Sequence, residues 1–275
     1  MRILRRFAPA LVVALVLIPW NALLAHDMFW RLTSYFVAPG TALRLPVLNG
    51  TFSKSENSIA WARVADLSVL SPAGRATIDS AHWETKSDTS VLPYTTGASG
   101  TYVVGLSTKT KDFDLKADAF NQYLTEDGIP DILALRKKNG SSKKDARERY
   151  SKHIKAVFQV GDTRTDSWAK PLGYAAELVP MTNPYAVKAG STLDFKCLID
   201  GAPVANQLVL VGGRAGTSGD ARLAAQSLRS DANGVVHVSL GKPGRWYVKF
   251  IHMVPLTNDT VDYESKWATI TFEVR

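Results

Sequence analysis

The sequence of 275 residues contains a single cysteine, Cys197. A lone cysteine excludes an intramolecular disulfide, so a packed core must hold the fold. Its setting, Leu193-Asp-Phe-Lys-Cys-Leu-Ile199, reads as a strand, which makes Cys197 a small buried hydrophobe. No Cys-x-x-Cys or His-x-x-x-His spacing occurs, so a dedicated zinc motif is lacking. No Gly-x-Ser-x-Gly elbow is present either. The glycine-rich Val211-Gly-Gly-Arg-Ala-Gly-Thr-Ser-Gly219 has no Gly-Lys-Ser/Thr ending and opens no clear helix, so it reads as a loop rather than a phosphate cradle. After Ala25 no segment is apolar enough to cross a bilayer. Basic residues gather only near Lys137–Arg149, without interleaved aromatics, and nothing points to nucleic acid.

The first 25 residues have the layout of a secretory leader. Met1-Arg-Ile-Leu-Arg-Arg6 is a positive start, Phe7 to Leu24 is mostly apolar, and small Ala25 fits a cleavage point. The alternative is a retained membrane anchor. Cleavage after Ala25 makes His26-Asp27-Met28 the new terminus and places the protein in the periplasm or otherwise outside the cytoplasm. Removing Arg2, Arg5 and Arg6 from the 33 basic residues leaves 30 against 25 acidic ones, a net charge of +5 instead of +8.

The remaining chain predicts an all-β protein of two immunoglobulin-like β-sandwich domains with a small helical insertion. Met28–Leu32, Tyr35–Val37, Leu43–Leu48, Val64–Leu70 and Thr101–Leu106 read as strands, with Asn49-Gly50 as a tight turn. The helical insertion covers about residues 112–152. Within it, Phe120, Tyr123 and Leu124 share one face, Gly128 ends a helix and Pro130 starts another. Lys137–Arg149 is charged and reads as a solvated stretch whose removal leaves stability nearly unchanged. The first domain spans 26–161 and Asp162 to Pro171 is a polar linker. The second domain spans 172–275, with turns at Asn183-Pro184, Asp200-Gly201, Asn233-Gly234 and Pro243-Gly244. Its length of roughly a hundred residues suits an immunoglobulin-like unit.

Several stretches in this order resemble the DUF4198 family, also labelled a nickel-uptake substrate-specific component. They are His26-Asp-Met-Phe-Trp30, Phe120-Asn-Gln-Tyr-Leu-Thr-Glu-Asp-Gly128, Arg149-Tyr-Ser-Lys-His-Ile-Lys155, Pro171-Leu-Gly173 and Glu177-Leu-Val-Pro180. Asn183-Pro-Tyr185, Gly244-Arg-Trp-Tyr-Val248, His252 and Tyr263-Glu-Ser-Lys-Trp-Ala-Thr269 complete the set. The resemblance covers nearly all of the chain after the leader. It implies an exported protein linked to transition-metal uptake, with a membrane metal transporter as a partner.

The residues themselves offer a metal chelate. A histidine at a free terminus presents its α-amine and Nδ1 to one ion, and such nitrogens suit Cu(II), Ni(II) and Zn(II). His26 and His252 are the expected metal ligands, for nickel, cobalt or copper. His252 ends the strand Trp246–His252 and shares a face with Val248 and Phe250. His153 and His82 are expected at the surface, and His237 on an outer sheet face. Tyr263 and Glu264 are permitted near the metal. The aromatics Trp30, Trp246, Tyr247, Tyr263 and Trp267 read as core. The favoured function is a non-enzymatic, exported metal-binding accessory. The alternatives are a β-sandwich interaction module without metal, and a histidine-brace copper oxygenase.

Overall fold

The structure is a computed structural model that describes residues 26–216, 221–257 and 260–275. The leader and the end of the glycine-rich stretch lie outside the described residues. The fold is all-β, built of packed sheets with two α-helices inserted. In the first half the strands are β1 (Asp27–Trp30), β2 (Phe36–Val37), β3 (Ala42–Thr51), β4 (Lys54–Ser55) and β5 (Val64–Ser71). Then come β6 (Gly74–Thr77), β7 (Glu84–Lys86), β8 (Thr89–Thr95), β9 (Gly100–Thr108) and β10 (Lys111–Leu115). Helices α1 (Ala117–Glu126) and α2 (Pro130–Lys138) precede the long strand β11 (Ala146–Val160). The second half adds β12 (Ala176–Pro180), β13 (Ser191–Ile199), β14 (Ala202–Pro203), β15 (Leu208–Ala215) and β16 (Gln226–Arg229). It ends with β17 (Val235–Leu240), β18 (Gly244–Pro255) and β19 (Tyr263–Val274).

Among the described residues these strands form three sheets. The central one runs β16-β15-β18-β19-β11-β9-β5-β6, with β10 and β2 also paired to β11. A small sheet, β1-β3-β8-β7 with β4 on β3, covers part of one face. A sheet of β12, β13, β14 and β17 covers part of the other. The alternation along the central strands explains this layering. On β11, Ile154, Ala156, Phe158 and Val160 enter the core beneath the first small sheet, while Val157 enters the opposite core. On β18, Trp246, Val248 and Phe250 enter that opposite core, and Ile251 and Met253 face the helices. Strands covered on both faces stay apolar on both.

The segments 26–161 and 172–275 are joined more closely than a linker implies. β11 and β19 pair in parallel from Glu148↔Tyr263 to Ala156↔Thr271, so both segments contribute to one continuous sheet. The polar stretch 162–171 is itself packed. Ser167 is buried, and Thr165 Oγ1 accepts a hydrogen bond from the Thr101 amide at 3.0 Å. Just beyond it, the fully buried Glu177 carboxylate binds the Lys155 ammonium at 2.7 Å. The same carboxylate accepts from the amides of Leu172, Gly173 and Tyr174.

α1 buries Phe120, Tyr123 and Leu124, the three residues on its predicted face. Gly128 turns the chain at φ +74°, where an added Cβ would also come within 2.9 Å of Leu210. The charged stretch after α2 departs from expectation. Arg136 is buried, and its guanidinium donates to Asn121 Oδ1 at 3.0 Å, Tyr263 Oη at 3.3 Å and the Lys144 carbonyl at 2.6 Å. Asn121 donates to the Ser142 carbonyl at 2.8 Å, and Asp145 accepts from the Ala117 amide. The lysine side chains are solvated, but the backbone between them is fixed. β11 then begins at Ala146, ten residues before the strand expected from Ala156.

Candidate functional site at the His26 start

β1 lies antiparallel on β3, with Asp27 opposite Gly50 and Trp30 opposite Val47. Asn49-Gly50, expected as a turn, continues β3 instead, and the chain reverses after Thr51. Gly50 permits a close approach that other residues would block. A Cβ there would meet the Lys54 carbonyl at 2.6 Å and Glu56 Cγ at 3.2 Å. Glu56 is held by its amide, which donates to the Asn49 carbonyl at 2.9 Å. As a result His26 Nδ1 stands 3.2 Å from Glu56 Oε2, both side chains half-exposed.

Beneath this pair lies a buried charge cluster. Lys152 on β11 donates to the His26 carbonyl, and Lys249 on β18 donates to the Asp27 carboxylate. The two lysines are only 5% and 7% exposed. Lys152 also lies 4.5 Å from the Trp267 ring centre and 5.6 Å from that of Tyr150, in cation–π range. Nearby, Glu148 is fully buried. Its Oε1 accepts from Tyr123 Oη at 3.1 Å and from Ser265 Oγ. Asp27 Oδ1 and Glu148 Oε2 are buried with no hydrogen-bond partner.

Burial sets the protonation of this cluster. It pushes the Glu148 carboxyl up to about 8, against the opposing hydrogen bonds from Ser265 and Tyr123. Asp127, at the end of α1, is pushed up to about 7 by burial, with Lys249 and Lys152 opposing. Lys152 is pushed down to about 8, also by burial. Burial works against the Lys249 charge too, but Asp27 and Asp127 outweigh it and hold that ammonium above the ordinary lysine range.

His252 occupies a different place. Its Nδ1 lies 2.9 Å from Gln207 Oε1. Gln207 Nε2 donates to the carbonyls of Leu208 and Ile251 at 3.0 and 3.1 Å, which fixes the amide with its oxygen toward the imidazole. The Nδ1 proton is therefore assigned, and Nε2 is left as the acceptor. His252 lines a cleft of about 200 Å³ between Pro130 and Leu208. It keeps the parity of Val248 and Phe250, as expected, whereas Lys249 and Ile251 point to the face that meets β1 and α1. The structure therefore does not bring His252 to His26.

The other predicted residues scatter. His82 and His237 are exposed and pair with Asp79 at 2.9 Å and Asp194 at 2.8 Å. His153, expected at the surface, is 5% exposed. Its Nδ1 is 2.9 Å from Ser107 Oγ and its Nε2 3.0 Å from Ser151 Oγ, so two hydroxyls satisfy it in the core. Burial pushes it down to about 4. Cys197 is buried and its thiol is pushed up to about 12 by burial. Tyr263 serves Arg136, and Glu264 lies 3.8 Å from Lys266. Among the described residues, no group of three or more His, Cys, Asp or Glu is arranged to hold a metal ion. Glu56, Lys152 and Lys249 were missed by the sequence reading. For Lys249 alone the sequence carries a signal, a charge inside the apolar run Trp246-Tyr-Val-Lys-Phe-Ile251.

No curated protein matches the chain. Among solved structures, a mutant of Salmonella alpha-2-macroglobulin is similar at 12% identity with a TM-score of 0.24, covering 90% of this chain. This chain spans only 15% of that one. The model of the family described as a domain of unknown function, DUF4198, matches residues 23–254, and the chain belongs to that family.

Proposed function

We propose that the exported protein, cleaved before His26, binds a transition-metal ion at its new terminus. It would act as an accessory in nickel, cobalt or copper uptake or handling, with a membrane metal transporter as the receiver. One observation carries the reading: His26 Nδ1 stands 3.2 Å from Glu56 Oε2. Two donors bound to one ion at about 2.1 Å, at near-tetrahedral angles, are about 3.4 Å apart. A single ion can therefore bridge the imidazole and the carboxylate with little movement of either. The α-amine freed by cleavage closes a chelate ring with the same Nδ1. Asp27 Oδ1, buried without a partner, is a further acceptor one residue along. Two nitrogens and a carboxylate suit borderline ions such as Ni(II) and Cu(II). His252 takes no part in this site.

The test is calorimetric titration with Ni(II) and Cu(II) of protein whose first residue is His26. Three altered forms accompany it: His26→Ala, Glu56→Gln, and a form with two residues added ahead of His26. Each alteration removes one proposed donor, so each should weaken binding by at least tenfold. Equal binding in the extended form would overturn the terminal chelate.

A further inference from the structure

The stretch between α2 and β11 carries four exposed lysines, Lys137, Lys138, Lys143 and Lys144. The carboxylates around them are engaged elsewhere. Asp145 pairs with Lys116 at 2.7 Å, Asp131 with Arg229 at 2.8 Å, and Asp114 with Arg147 at 3.7 Å. None of the four lysines forms an ion pair among the described residues. The α2 carboxyl end accounts for part of this charge, since lysines there complement the helix dipole. It does not account for Lys143 and Lys144, which lie beyond the helix.

The platform beneath the lysines is rigid. The buried Arg136 guanidinium ties the Lys144 carbonyl, Asn121 ties the Ser142 carbonyl, and the Ser141 amide returns to the Arg136 carbonyl at 2.9 Å. A merely solvated loop has no need of a buried arginine as its strut. The fold thus presents a fixed set of like charges.

We propose that this lysine knob is a docking surface for an anionic lipid membrane. Its composition decides between partners. Protein interfaces are depleted in lysine and enriched in arginine and large aromatics. Single-stranded nucleic acid is gripped by aromatic stacking, and bidentate phosphate recognition uses arginine. The knob has four lysines and no aromatic among residues 137–144. Exposed lysine ammonium groups held on this fixed backbone suit a diffuse anionic surface, and clusters of four or more basic residues favour anionic membranes.

The test is co-sedimentation of the purified exported protein with vesicles. One set is phosphatidylcholine alone, and the other is phosphatidylcholine mixed with phosphatidylglycerol. Binding to the mixed vesicles only is expected, and it should fade in about 0.5 M salt as screening shortens the reach of the charges. Each lysine near the surface contributes about fivefold to binding. The quadruple change of Lys137, Lys138, Lys143 and Lys144 to Gln should therefore weaken partition by about two to three orders of magnitude. A charge-matched control changes the exposed Lys54, Lys86, Lys188 and Lys242 to Gln and should bind as the parent does. Equal melting temperatures of the two quadruple forms would separate docking from folding. The proposal is overturned by equal binding to neutral vesicles, or by equal losses in both quadruple forms. It is also overturned by tighter binding to polyglutamate or single-stranded RNA than to the mixed vesicles at the same salt. None of these outcomes depends on metal, so this result and the His26 titration fail or stand separately.

Discussion

Lys249, in the middle of β18, donates to the carboxylate of Asp27, 222 residues earlier in the chain. Both groups are largely withdrawn from solvent, and the contact fixes β1 to the central sheet. Lys249→Met strands the Asp27 charge and should cost about 3–5 kcal/mol, the usual penalty for leaving half of a buried pair. Changing both residues, Lys249→Met with Asp27→Leu, should restore much of that loss. Urea unfolding of the three forms decides it, and a double form as weak as the single one would show that packing, not charge, dominates.

Glu148 makes stability depend on pH. Its carboxyl is raised from 4.5 to about 8 in the folded protein. A raised value means that its contribution is fully present below the unfolded pKa and is lost as the pH rises through about 8. Glu148→Gln keeps an acceptor for Tyr123 and Ser265 but cannot ionise. It should leave the melting temperature nearly unchanged at pH 4 and stabilise at pH 9 by on the order of 5 kcal/mol. The same shift at both pH values would rule out ionisation as the cause.

Glu177→Ala should be among the most damaging single changes outside the hydrophobic cores. It removes the partner of buried Lys155 and the acceptor of three consecutive amides. A loss of about 3–5 kcal/mol is expected from the stranded lysine. Glu177→Gln should recover part of it by keeping an oxygen for the amides. Denaturant midpoints test the order of the two.

Deleting Lys138 to Lys144 should lower the melting temperature strongly. The deletion removes the Lys144 carbonyl from Arg136 and the Ser142 carbonyl from Asn121. A buried donor left without its acceptor costs about 1–3 kcal/mol, more for a charged group. An unchanged melting temperature would show that the segment is held by nothing essential.

The contrast between that deletion and the sequence expectation shows what was legible. Charge and Asn139-Gly140 marked the stretch as solvated, and its lysines are. Nothing local revealed that Arg136 turns inward, because two of its three acceptors lie on α1 and β19. The same holds for His153. Its flanking lysines suggested the surface, yet Ser107 from a different strand completes its hydrogen bonds in the core. Strand alternation and turn residues conveyed the sandwich class, the buried Cys197 and the inward face of α1. The pairing of β11 with β19 was out of reach, since register between segments more than a hundred residues apart is set by tertiary packing. The candidate site was half visible: His26 stood out at the end of the apolar leader. Glu56 did not, since only the close passage at Gly50 brings it there.

The position of β19 also bears on the route by which the chain reaches its native state. This strand sits in the interior of the central sheet, between β18 and β11, although it comes last among the described strands. Until Tyr263–Val274 has been synthesised, β11 has only the two-residue β2 on that side and β18 lacks one of its two neighbours. Zipping the sheet then closes loops of large sequence separation, which is slow relative to local structure formation. A nascent or incomplete chain therefore exposes unpaired strand edges, the kind of surface that invites wrong pairing, until β19 is in place.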